Sequence, residues 1–314
     1  MTFSGKLSNA SVVELLNYHR RLLADEQRTS AYERAIAATV RPGDIVIDLG
    51  CGSGILSFFA CRAGARRVYA IDELPVIELA RELAASNGLA DRIVFINRRS
   101  RDAQIDERAD VIVTEIMGNN GFDEQIVSAT AHAARAWLRP GGTLLPRSVE
   151  MHAAPVDVDA IGFWRGDRYR LDFASVAARA TQTFHAVRVA PDQLLAPGQR
   201  LTRAILGEEE PSLRGTAEWR IERAATLHAL AVWFRAELTE AIDITNDPVG
   251  GCPSWKHSLF PLPRPFAVRA GEVVRAELQT FDGTEWRWRV ARADAWDDAP
   301  EQTTLRAFPL TTSR

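Results

Sequence analysis

Apolar residues near the start of the chain recur at the spacing of an α-helix. Val12, Leu15, Leu16, Leu22 and Leu23, with His19 in the same pattern, predict one helix within residues 9–40, and a second run from Ala31 to Val40 follows Thr29-Ser30. Arg41-Pro42-Gly43 then breaks the chain, and Asp44-Ile45-Val46-Ile47-Asp48 reads as a strand buried on both faces. From there two periods alternate. Strand-like runs at Arg67–Ile71, Arg92–Ile96, Asp110–Thr114 and Gly142–Leu145 are separated by helical runs at Ile55–Ala63, Pro75–Ser86 and Phe122–Leu138. Connections of this length predict a parallel, doubly wound, Rossmann-like α/β sheet with helices on both faces.

After Pro146 the pattern turns to β. Leu227–Leu238, Glu272–Thr280 and Glu285–Ala291 are strand-like, and the last sets Trp286, Trp288 and Val290 on one face against Arg287 and Arg289 on the other. Asp282-Gly283 between the last two is a hairpin signal, whereas Glu208-Glu209-Glu210 reads as a solvated loop. The expected organisation is therefore helices over 1–40, a ligand-binding sheet over 41–146, and an antiparallel β-barrel or sandwich over 147–314.

Composition narrows the function classes. The 314 residues are 46% hydrophobic and 25% charged, and 38 basic against 41 acidic side chains leave a formal charge of −3, without the broad basic field of a phosphate-neutralising protein. No nucleic-acid partner is expected. Cys51, Cys61 and Cys252 are odd in number and lack CxxC spacing, and the six His lie far apart, which supports neither a disulfide framework nor a metal site and suits a reducing, cytoplasmic setting. The N-terminal run carries no continuous apolar stretch and no segment has the roughly 20 apolar residues of a membrane span, so neither a signal peptide nor a membrane partner is expected.

The chemistry starts at Asp48-Leu49-Gly50-Cys51-Gly52-Ser53-Gly54, a DxGxGxG turn between the first strand and a helix. Glycines there permit a sharp turn and let a ligand approach main-chain N–H groups. Asp72 ends the next strand 18 residues after Gly54, where a carboxylate can accept both hydroxyls of a ribose. In a GxGxxG dinucleotide fingerprint the third glycine would stand at Ile55, but here it comes one residue early, so a nucleoside without a pyrophosphate is favoured over NAD.

DLGCGSGILSFFACRAGARRVYAID, then ARELAASNGLADRIVFI and the run from Trp137 to Pro146, resemble the class I S-adenosylmethionine-dependent methyltransferases, and more narrowly the protein arginine methyltransferases. The resemblance spans roughly residues 19–290 and is densest over 45–146. Glu115 and Glu124, in Thr114-Glu115-Ile116-Met117-Gly118-Asn119-Asn120-Gly121-Phe122-Asp123-Glu124, stand at the two positions of that family's double-glutamate loop. Two converging carboxylates suit a planar guanidinium. The resemblance further implies that Arg28 pairs with the cofactor's carboxylate, that Leu22 replaces a methionine beside the transferring methyl, and that His19, Met117, Asn119 and Trp255 border the substrate. Asp102 lies where class I methyltransferases contact adenine, but Arg101 replaces a frequent glutamate there, so Asp102 reads either as an adenine contact or as an ordinary loop acid.

The chain also departs from that pattern. Ala10-Ser11-Val12-Val13-Glu14-Leu15-Leu16 stands where the family has an aromatic YFxxY motif, Asn119-Asn120 and Asp123 replace aromatics in the glutamate loop, and Ser254 takes the place of a histidine that pairs with Asp25, with His257 nearby. Fewer aromatic walls and more hydrogen-bonding groups predict an acceptor with polar ends of its own, free L-arginine or another small guanidino compound, with protein arginine as the alternative. A methyltransferase acting on another nucleophile, or a non-catalytic cofactor-binding module, are further alternatives. Phe163-Trp164-Arg165-Gly166-Asp167-Arg168-Tyr169-Arg170-Leu171-Asp172-Phe173 looks like the family's helical dimerisation arm, about residues 158–180, and implies a homodimer.

Overall fold

The computed structural model describes residues 9–307 apart from Arg168. Two helices open the fold, α1 (Asn9–Leu23) and α2 (Glu26–Thr39), hinged at Asp25, whose carboxylate accepts the Arg28 backbone N–H at 3.0 Å and caps α2. Five strands follow, β1 (Ile45–Leu49), β2 (Arg67–Asp72), β3 (Ile93–Asn97), β4 (Ala109–Thr114) and β5 (Leu138–Leu145), with α3 (Ile55–Arg62), α4 (Val76–Ser86) and α5 (Ile126–Trp137) between them. They pair in parallel in the order β3-β2-β1-β4-β5. All five residues of β1 are buried, as a strand covered by helices on both faces must be. The strand order reverses between β1 and β4, so the crevice beyond their carboxyl ends is where such sheets take ligands.

Two predicted boundaries move. The helix expected from Phe122 begins at Ile126, because Gln125 sits at φ 60 and the Asn120 side chain holds the N–H groups of Phe122 and Asp123 outside any helical ladder. The strand expected from Gly142 starts instead at Leu138, where the helix was expected to end.

The second half is antiparallel. β6 (Ser148–Val156), β7 (His185–Val187), β8 (Gln199–Ile205), β10 (Ala225–Thr239), β11 (Ile242–Thr245) and β12 (His257–Val268) form one sheet; β9 (Leu213–Arg220), β13 (Val273–Phe281), β14 (Glu285–Arg292) and β15 (Gln302–Thr303) form another. β9 alternates buried and exposed at every residue, β13 alternates buried and half-buried, and β14 does so as far as Val290, so one face of the smaller sheet carries Trp219, Trp286 and Trp288 inward. The Asp282-Gly283 hairpin forms, with both residues at positive φ. Of the expected helical arm, only a 3₁₀ turn at Gly162–Arg165 and α6 (Ala174–Ala180) are helical; Arg168 lies outside the described residues. One apolar core runs from Ile47 and Tyr32 through Phe122 to Phe234 and Trp286, crossing between the two halves.

Candidate active site

A cavity of about 560 Å³ opens at the carboxyl ends of β1, β2 and β4. Its floor is the turn from β1 into α3. Gly50 stands at φ +73, and a Cβ there would come within 2.5 Å of Ile116 Cγ2, so backbone conformation and space both require glycine. Asp72 enters the cavity at the end of β2, with Oδ2 accepting the Gly52 N–H at 2.9 Å and Oδ1 the Leu74 N–H at 2.8 Å. Burial pushes its pKa up, the two N–H groups pull it back, and each oxygen keeps a lone pair for a further donor.

Asp48 does a different job. Fully buried, it accepts from the Ser57 N–H at 2.9 Å and the Ser57 hydroxyl at 2.6 Å, fastening the first turn of α3 to the strand, and burial lifts its pKa to about 7. It is absent from the cavity wall.

At the opposite end Glu115 follows β4 and meets Arg28 of α2 in a buried ion pair. Arg28 is 4% exposed, lies against the Trp255 ring with Cζ 5.5 Å from its centroid, and has a buried Nε without a partner. Burial works against its charge, but Glu115 outweighs it and raises the pKa; Glu115 is in turn pushed up by burial more than Arg28 pulls it down. Glu124 faces the same cavity and is exposed there. Desolvation by the surrounding protein, then the charges of Glu115, Asp123 and Asp72, push its carboxyl up to about 8.

Hydrogen bonds shape the loop between the glutamates. Asn120, fully buried, accepts from Phe122 N at 2.9 Å and Asp123 N at 3.1 Å while its amide donates to Ser258 Oγ at 3.2 Å. Asn119 accepts the Lys256 N–H at 2.8 Å on its side chain and the Asn246 amide at 2.8 Å on its carbonyl. The β13–β14 turn closes beneath: a Cβ on Gly283 would sit 1.8 Å from the Phe122 carbonyl oxygen, and Asp282 accepts the Ser128 N–H of α5 at 3.4 Å.

Of the residues singled out from sequence, His19, Leu22, Arg28, Gly50, Gly52, Asp72, Glu115 and Glu124 meet around this one cavity. Others do not reach it. Gly54 lies behind it as the left-handed N-terminal residue of α3, and Met117 is fully buried in the core. Asn119 is spent on the loop contacts just described, while Trp255 supports Arg28 and packs edge-on against Phe234 with centroids 4.9 Å apart. Asp102 is exposed on a 3₁₀ turn, and Arg98 to Arg101 line the cavity instead. Sequence reasoning also passed over Gln125, Ser128 and Tyr18; the signal for Tyr18 was its place between Leu15 and Leu22 at helical spacing.

The replaced histidine has a resolution in the backbone. Asp25 Oδ2 accepts the Ser254 N–H at 2.9 Å, and the buried Ser254 hydroxyl has no partner. His257 accepts from Val189 N at 2.9 Å and donates to Asn246 O at 2.8 Å; burial lowers its pKa, so it is a neutral bracket within the antiparallel half, not a substitute near Asp25.

Comparison with known proteins matches both halves. Residues 27–145 fit the family described as Ribosomal protein L11 methyltransferase (PrmA), and residues 147–289 fit the Arginine methyltransferase oligomerization subdomain. Among relatives, "Probable protein arginine N-methyltransferase 6" of Arabidopsis thaliana is 31% identical over 70% of this chain and 54% of its own length. "Protein arginine N-methyltransferase 2" of Xenopus tropicalis is 26% identical over 90% of this chain and 70% of its own length. Among solved structures, the Trypanosoma brucei PRMT1 enzyme–prozyme heterotetrameric complex with AdoHcy superposes with a TM-score of 0.80 at 24% identity, covering 91% of this chain and 96% of that one. Arabidopsis thaliana protein arginine methyltransferase 10 superposes at 0.78 and 21%, covering 92% and 99%. By its sheet, its glycine turn and both matches, the chain belongs to the class I S-adenosylmethionine-dependent methyltransferases, in the protein arginine methyltransferase family.

Proposed function

We propose that the protein transfers a methyl group from S-adenosylmethionine to a guanidino nitrogen of arginine held within a protein. One observation carries this reading: Glu115 and Glu124 face the same cavity as the glycine turn and Asp72, and Glu115 already holds a guanidinium, that of Arg28.

The residues present fit the cofactor. The Gly50 turn leaves room for a ligand against main chain, Asp72 keeps acceptor capacity for ribose hydroxyls, and the buried Arg28 Nε–H, lacking a partner, suits a carboxylate. When bound, S-adenosylmethionine supplies an electrophilic methyl group on a sulfonium. The protein's own residues do the rest. A guanidinium is protonated at neutral pH and poorly nucleophilic, so Glu115 and Glu124 must draw its positive charge toward two nitrogens and leave electron density on the third. Held between them, that nitrogen loses entropy before reaction instead of during it. The nitrogen then sheds a proton as it gains the methyl group, and Glu124, the more exposed of the two carboxylates, is the one able to pass it to solvent.

Protein arginine is favoured over free L-arginine. The polar substitutions that suggested a small acceptor, Asn119 and Ser254, are engaged with the loop and with Asp25 and do not line the cavity, and the relatives are named protein arginine N-methyltransferases. Incubation with labelled cofactor and either an arginine-rich peptide or free arginine, read by product mass spectrometry, tests this. Turnover of free arginine alone overturns the protein reading, and turnover of neither overturns the reaction.

The same proposal includes a homodimer. Phe163, Tyr169 and Leu171 on the arm are 53%, 89% and 61% exposed, Val13 and Leu16 of α1 are each 48% exposed, and the second half matches an oligomerization subdomain. Sedimentation at micromolar concentration showing monomer alone refutes it.

A further inference from the structure

Tyr18 has no part in the roles assigned so far. It lies on the last turns of α1, on one face with Leu15 and Leu22, and lines the cavity together with Glu115 and Glu124. Among the described residues of that wall it is the one Phe, Tyr or Trp. The residue is 43% exposed, and its ring stands edge-on to His19, with centroids 5.2 Å apart and planes at 86°. It already receives a guanidinium, with Arg21 Cζ 5.3 Å from the ring centroid. Burial, then the charges of Glu124 and Glu115, raise the phenol to about 12, so the hydroxyl stays protonated beside the two carboxylates.

Two carboxylates alone make an incomplete site for a guanidinium. They satisfy its edge, while the two π-faces of the planar cation prefer a flat, weakly hydrated surface that offers no competing donors. The aromatic motif expected upstream in α1 is missing, and Val12 and Val13 are exposed on the outside of the helix. We infer that Tyr18 supplies the aromatic wall of the acceptor pocket, its ring packing on the guanidinium that Glu115 and Glu124 hold by its edge. Arg21 then acts as a stand-in on that ring, displaced or moved aside as the acceptor arginine enters. This rests on the arginine reading proposed above and adds the residue that selects a planar cation over a compact ammonium.

The test is binding, measured apart from turnover. Wild-type, Y18F, Y18L and Y18A proteins are saturated with S-adenosylhomocysteine and titrated calorimetrically with a synthetic glycine-rich peptide carrying one arginine. Y18F is expected to bind within twofold of wild type, and Y18L and Y18A about tenfold more weakly, the size of a partly desolvated cation–π contact. Affinity for S-adenosylhomocysteine and the melting temperature stay unchanged in all four proteins, which separates a wall from a helix-packing role. Y18L or Y18A binding the peptide as well as wild type overturns the inference, as does a Y18F loss equal to that of Y18A, or absence of peptide binding in wild type. Peptide binding with the expected pattern but no methyl transfer overturns the proposed reaction and leaves Tyr18's role standing. Methyl transfer indifferent to position 18 does the reverse.

Discussion

The two ends of the cavity are built on different principles. At the cofactor end the parts are close in sequence: Gly50 and Gly52 follow β1, Asp72 ends β2, and main-chain N–H groups at Gly52 and Leu74 fix the Asp72 carboxylate. At the acceptor end they are distant. The glutamate loop is held by Asn246, Lys256, Ser258 and the Asp282–Gly283 turn, more than a hundred residues downstream. The first end depends on backbone conformation and the second on tertiary hydrogen bonds, so damage to each should leave the other working.

The sharpest way to break that contrast is Glu115→Gln. Loss of one carboxylate from the clamp is expected to lower kcat by about 10²–10³, the usual cost of removing one preorganised charge-stabilising group, with S-adenosylhomocysteine affinity held within a few-fold. Product mass spectrometry paired with calorimetry checks it, and turnover above a tenth of wild type refutes the assignment. Gly50→Ala is the mirror experiment. A Cβ at φ +73 against Ile116 should weaken S-adenosylhomocysteine about tenfold, in line with strain of one to two kcal/mol, while peptide affinity in saturating ligand falls by less, through the push on Ile116 alone.

The raised Glu124 pKa gives a third handle. The clamp needs the carboxylate, and with a pKa of about 8 most of the free protein at neutral pH holds the acid. kcat/KM for the acceptor is therefore expected to rise about fivefold from pH 7 to pH 8 and level off above, with no such rise in S-adenosylhomocysteine affinity. Folding responds with the opposite sign. The folded state binds more protons than the unfolded chain between the ordinary carboxylate range and pH 8, so this group's contribution favours folding at low pH and is lost as pH rises through that window. Glu124→Gln should flatten the pH dependence of both the rate and the melting temperature. Ser254→Ala is the smallest effect. Its hydroxyl is unpartnered and its N–H does the work at Asp25, so stability should stay within about 0.5 kcal/mol and activity within twofold by thermal melts and initial rates. A larger loss returns the side chain to the site.

The same contrast decides what could be read ahead of the structure. β1 is buried on both faces and β13 on one, so their residue periods announce them. Gly50, Asp72, Glu115 and Glu124 carry local patterns and reach the cavity as expected. Asn119 and Trp255 were read as substrate contacts because type and position point there, but their partners, Lys256 and Asn246 for one and Arg28 and Phe234 for the other, come from remote segments that no local pattern announces. The late start of α5 has the same origin. Phe122 to Gln125 have helical composition, and the side chain of Asn120, anchored on Ser258 of β12, takes the N–H groups of Phe122 and Asp123 away from the helix.

The turn at Gly283 bears on how the chain can be divided. No described residue of the antiparallel half lines the cavity, and a cut after Pro146 looks harmless if only the reacting groups are considered. Yet Gly283 presses main chain against the Phe122 carbonyl too closely for any side chain to intervene, and Phe122 lies two residues before Glu124. The antiparallel half is thus the anvil on which the glutamate loop is set. A shortened protein ending at the sheet would keep a place for the nucleoside and lose the surface that fixes where the second carboxylate stands, and grafting this clamp onto another methyltransferase sheet requires carrying the hairpin with it.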